Sequence, residues 1–76
     1  MELYQLRYFL AVVREGSFVA AAEAEDVAQP SLSQAIKKLE AELKVPLFDR
    51  LGRSVRLNRY GEALAPRAEA IVREMQ

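Results

Sequence analysis

The sequence predicts a small, mainly α domain: a core of three helices, one short β-hairpin and a long last helix. Three observations carry this. Apolar residues recur at spacings of three and four through most of the chain, which is the helical period. The stretch that breaks the period begins at Lys44, Val45 and Pro46 and holds Gly52 and the alternation Val55, Arg56, Leu57, a hairpin signal. Finally, 76 residues have room for one core, because a chain of this size buries only about 60 to 65% of the surface its unfolded form exposes.

Leu3, Leu6, Leu10 and Val13, with Phe9 beside them, make the core stripe of a first helix running from Leu3 to Glu15, and Gly16 stands where a left-handed residue would end it. Tyr4, Tyr8 and Val12 form a second stripe at spacings of four. A helix with two apolar faces has two partners, and in so short a chain a second subunit is one candidate, a half-exposed tyrosine face the other. Ser17 offers a side-chain oxygen to cap helix 2, whose inward stripe is Phe18, Ala21, Ala22 and position 25. Position 25 is glutamate, so either the helix ends before it or the carboxylate turns outward. Val27 supplies an apolar plug for the turn that follows.

Helix 3 begins near Ala28 or Gln29, with Pro30 in the first turn, where its missing N–H costs nothing. Leu32, Ile36, Leu39 and Leu43 form its core stripe, and Pro30, Ser33, Gln34 and Lys37 point the opposite way. Leu47 to Leu57 is the hairpin, carrying Arg50, Arg53 and Arg56. Asn58 can cap a last helix that reaches the end of the chain, with Leu64, Ala68, Ile71 and Met75 spaced as a seam that seeks a partner helix and Pro66 predicting a bend.

The formal charge is zero, yet it is unevenly spread. Residues 1–30 hold two basic and five acidic groups, residues 31–60 seven and three, residues 61–76 two and three. The middle third is basic, and a local patch is what meets phosphates. No acid occurs from Ala28 to Leu39. With neither cysteine nor histidine, disulfides, structural zinc, thiol chemistry and the usual general base near neutral pH are excluded. There is no Gly-rich phosphate loop, so no enzyme and no cofactor or metal is expected. No stretch approaches the roughly 20 apolar residues of a membrane span, so the expected location is the cytoplasm.

Three helices, the second and third joined tightly, then an arginine-bearing hairpin and a long helix are the order of a winged helix-turn-helix. The chain resembles the N-terminal DNA-binding domain of the LysR-type transcriptional regulators of bacteria. The resemblance rests on Leu6, Phe9, Ser17-Phe18, Ala21-Ala22, Gln29-Pro30, Leu32-Ser33, Ile36, Leu39-Glu40, Leu43, Leu47-Phe48, Arg50, Leu57 and Gly61, which cover nearly the whole chain. It implies a winged helix-turn-helix over 1–58 and a linker or dimerisation helix over 59–76, a fragment whose effector-binding domain is missing. Against the family pattern, Glu25 stands in place of leucine, Ala28 of a serine cap, Gln34 of arginine and Asn58 of threonine.

The residue types suit that role. Gln29 and Gln34 can pair with adenine in a major groove, and Pro30 can meet a thymine methyl. Ser31, Ser33 and Lys37 suit phosphates, helped by the positive end of the helix. Arg53, beside Gly52, can enter a narrow A·T-rich minor groove; the family adds Arg50 as a second wing residue, and the bland alternative is a solvated hairpin. Lys38 and Lys44 read as surface charges. The resemblance also implies a homodimer through paired linker helices, with Leu64, Ala68, Ile71 and Met75 in the seam and Tyr4 and Tyr8 as a further contact, on a partly palindromic double-stranded DNA operator. A small-molecule effector would act only through the missing domain. The rival readings are another winged-helix regulator family and a helical protein-interaction domain in which the apolar stripes are the function.

Overall fold

A computed structural model describes residues 1–75. In chain order the elements are α1 (Leu3–Glu15), α2 (Phe18–Glu25), α3 (Gln29–Leu43), β1 (Phe48–Leu51), β2 (Ser54–Leu57) and α4 (Arg59–Glu74). The strands pair antiparallel, Phe48 opposite Leu57 and Arg50 opposite Val55. The architecture is the expected mainly helical one with a two-stranded wing.

α1 is the central helix and touches α2, α3, α4 and β2. That explains a departure from the expected stripes. Val12 is fully buried rather than part of an outer tyrosine face, and Leu6, Phe9 and Ala11 join it in the core, whereas Leu3, Leu10 and Val13 are half-buried. A helix packed by neighbours on several sides buries a wider arc than one stripe. Gln5 is buried too, and its Oε1 accepts the Glu2 N–H at 2.8 Å, so it serves the start of the helix from inside the fold. Gly16 ends α1 with φ 78°.

α2 starts on Ser17, whose Oγ accepts the Ala20 N–H at 3.0 Å. Phe18, Ala21 and Ala22 are buried, and Val27 packs against the core they join. The helix keeps Glu25 as its last residue: the carboxylate turns to Arg14 of α1, 3.7 Å from Nη2, and Asp26 ends the helix in the left-handed region. α3 begins after Ala28, which makes no side-chain cap. Leu32, Ile36 and Leu39 are buried, joined by Ala35.

The end of α3, the wing and α4 are tied by polar bonds. Glu40 accepts the Leu47 N–H at 2.8 Å. Asn58 Oδ1 accepts the N–H groups of Tyr60 and Gly61, each at 2.9 Å, and Asn58 Nδ2 donates to the Pro46 carbonyl at 2.9 Å. Gly61 is buried because the Leu47 carbonyl sits where its Cβ would be. α4 continues through Pro66. Here the seam departs from expectation. Ala68 is fully buried in its own domain's core and Leu64 is half-buried against it, so Ala68 is not available to a partner; Ile71 and Met75 remain exposed. No helix among the described residues is long and apolar enough to cross a membrane.

Candidate nucleic-acid interface

The wing is aimed by its root. β1 alternates, so Phe48 and Arg50 share a face with their partners Leu57 and Val55, while Asp49 and Arg56 share the other. Val55 is buried and its N–H donates to the Gly16 carbonyl at 3.0 Å, which pins the wing to the α1–α2 turn. Phe48 packs on Phe9 and Phe18, ring centroids 5.5 and 5.9 Å apart. Two residues along, the Arg50 guanidinium lies over the Phe18 ring, 4.5 Å from its centroid. Such a stack fixes the plane of the guanidinium while leaving its N–H groups to face solvent or a ligand. The turn needs Gly52, which has φ 66°, while Arg53 does not; that is the pattern of a two-residue type II′ turn.

As a result Gln29, Arg50 and Arg53 line one open cleft of about 490 Å³, together with Ser17, Phe18, Val19, Gly52 and Val55. The start of α3, the start of α2 and the tip of the wing thus share one surface. Gln29 is held there, its Nε2 donating to Ser33 Oγ at 2.7 Å. Pro30, Ser31 and Gln34 lie on the other flank of α3, in a groove of about 380 Å³ shared with Tyr4, Tyr8, Ala35 and Lys38. Lys37 is exposed and lines neither hollow; Arg56 points to the outer face of the wing. Tyr4 and Tyr8 therefore sit beside α3.

The electrostatics agree with the geometry. Among the described residues the ion pairs join Met1 to Glu42 and Arg14 to Glu15 and Glu25, none of which lines either hollow. Lys37, Lys38, Arg50, Arg53 and Arg56 make none, so their charge is available to phosphates. Val19 was not legible as part of the site. It is 62% exposed at the first turn of α2, beside Gln29 and Arg53, and only its place outside the Phe18, Ala21, Ala22 stripe hints at an outward task.

Comparison with known proteins decides the family. The family described as bacterial regulatory helix-turn-helix protein, lysR family, matches residues 3–62. The chain belongs to the LysR family. It is 57% identical over 63 residues to the HTH-type transcriptional regulator BudR of Klebsiella aerogenes, covering 83% of this chain and 44% of that relative. The chain spans about half the length, or less, of the curated relatives it matches. Its fold is similar to the DNA-binding domain of BenM in a benA site 1 DNA complex, with a TM-score of 0.93 and 41% identity over 99% of this chain and 87% of that one. It is equally similar to the DNA-binding domain of CbnR in a DNA complex, with a TM-score of 0.94 and 37% identity over 99% and 86%. The residues form a LysR-family helix-turn-helix DNA-binding domain with a two-stranded wing.

Proposed function

We propose that this LysR-family domain reads a partly palindromic operator in double-stranded DNA, with α3 in the major groove and the wing in an adjacent A·T-rich minor groove. The observation that carries the reading is the shared cleft: Gln29, Arg50 and Arg53 come from two elements far apart in sequence and stand together, with no carboxylate among the described residues paired to either arginine. Gln29 reads a base edge, Pro30 and Val19 meet apolar groups, and Ser31, Ser33, Gln34 and Lys37 divide between base and phosphate contacts. Arg53 enters the minor groove from the turn, and Arg50 holds the backbone beside it. Gln34, in place of the family's arginine, is a shorter and uncharged contact that favours adenine over guanine.

The domain works as part of a longer cytoplasmic regulator, without catalysis, metal or cofactor of its own. Residues 1–58 bind DNA; residues 59–76 continue as the linker through which two subunits pair, and Ile71 and Met75, 42% and 66% exposed, are the apolar groups left for that contact. The length of the relatives supports a further domain, and a small-molecule effector would act through it.

Fluorescence anisotropy of a labelled A·T-rich duplex with two half-sites, titrated at several salt concentrations, tests the reading. Affinity should fall steeply with salt and be weakened by Arg53→Ala and Gln29→Ala alike, each costing about 1 to 3 kcal/mol. A folded protein that binds no duplex at low salt would overturn it and favour a protein-interaction role for the apolar stripes.

A further inference from the structure

At about 100° per residue, the exposed arc of α3 runs from Gln29 through Gln34 to Ser31 and spans about 200°. A helix seated in a major groove roughly 12 Å wide has a phosphate backbone along each of its flanks. The cleft between Gln29 and the wing faces one of them. The opposite flank of α3 is the groove lined by Tyr4, Tyr8, Pro30, Ser31, Gln34 and Lys38.

We propose that Tyr4 of α1 and Lys38 of α3 form a second phosphate-binding flank that grips the other DNA backbone. The inference rests on the placement of α3 in the major groove. Tyr4 is 45% exposed, and its ring stands edge-on to that of Tyr8, centroids 5.6 Å apart and planes at 75°. Tyr8 is half-buried against the core, so it holds Tyr4 in place from below. Among the described residues neither tyrosine hydroxyl has a hydrogen-bond partner, and Lys38 is exposed with no ion pair. Phenol hydroxyls and ammonium groups both donate to phosphate oxygens. The groove contains no acid. The next acid along the same stripe, Glu42, lies one turn beyond Lys38, and its carboxylate is answered by the Met1 amino group at 2.6 Å. An occupant that is anionic and continuous with the recognition residues fits these facts; a second copy of the chain would have to cover Ser31, Gln34 and an unpaired lysine.

Single-half-site duplexes separate this role from subunit pairing, because one domain suffices to bind them. Tyr4→Phe removes only the hydroxyl and Lys38→Gln only the charge, and circular dichroism melts should show both folded as the wild type. Tyr4→Phe should weaken binding about five- to tenfold, by the same factor on the operator half-site and on unrelated sequence. Lys38→Gln should reduce the slope of log K against log salt by about 1. Gln29→Ala serves as the reference, weakening the operator half-site more than unrelated sequence. If both flank variants bind as the wild type while Gln29→Ala is impaired, the flank is overturned and the DNA reading stands. If Tyr4→Phe leaves half-site affinity unchanged but abolishes self-association in sedimentation, the tyrosine edge belongs to a second copy. If the wild type binds neither duplex, both readings fall together.

Discussion

At the start of α4 the side chain of Asn58 takes the N–H groups of Tyr60 and Gly61, while its own amide ties the helix to Pro46. At the start of α3 Ala28 brings no side-chain oxygen. Pro30 has no N–H, Ser31 gives its own to the Ala28 carbonyl at 3.0 Å, and the Gln29 N–H is left without a partner among the described residues. One helix start is closed by the protein and pressed into its core; the other is open and turned outward. The difference separates what holds the domain together from what it offers to a ligand, since orphan donors at a helix start are satisfied by caps or by an anion.

The largest effect should follow from pressing on the closed start. A Cβ at position 61 would collide with the Leu47 carbonyl oxygen and lie 2.6 Å from Leu57 Cδ2. Gly61→Ala should therefore lose about 3 kcal/mol from overpacking, despite the roughly 1 kcal/mol that alanine gains over glycine in a helix. A thermal melt checks this; a melting temperature at or above the wild type would mean the Leu47 carbonyl yields freely. At the open start, Gln29→Ala should leave the melt unchanged and weaken operator binding by about 2 kcal/mol, so that the two substitutions affect opposite properties. Asn58→Ala comes next, with about 1 to 1.5 kcal/mol of stability lost, read in urea unfolding. The smallest change is Ala28→Ser, which closes the open start: stability should rise by about 0.5 to 1 kcal/mol. Affinity for DNA should stay within about twofold, because a serine cap takes only one of the backbone donors and leaves the Gln29, Ser33 and Gln34 side chains unchanged.

The elements themselves were legible. α1 ends where Gly16 predicts, and Ser17 and Asn58 cap the helices their positions suggest, because these are local bonds between residues a few positions apart. Faces were less legible. Val12 and Ala68 belong to the core although each fitted an outward stripe, and Gln5 is buried although polar. Periodicity gives a direction on a helix, not the number of neighbours that will cover it, and α1 has several. The Gln5 position did carry a signal, a glutamine three residues after the residue that starts the helix. Val19 and Lys38 fall outside the core stripes, so the hollows they line form only once α2, α3, the wing and α1 are placed side by side.

The sequence by itself determined the helices, the hairpin, the acid-free stretch from Ala28 to Leu39 and the family, because each depends on local periodicity, caps, turn chemistry or a motif read along the chain. Only the tertiary structure decided that Arg50 stacks on Phe18, that Arg53 and Gln29 face one cleft, and that Tyr4 stands beside the recognition helix. Those pairings join residues far apart in the chain: the packing of Phe48 on Phe9 and Phe18 and the Val55 bond to Gly16 place the wing, and the packing of α1 on α3 places Tyr4. No local preference encodes such contacts.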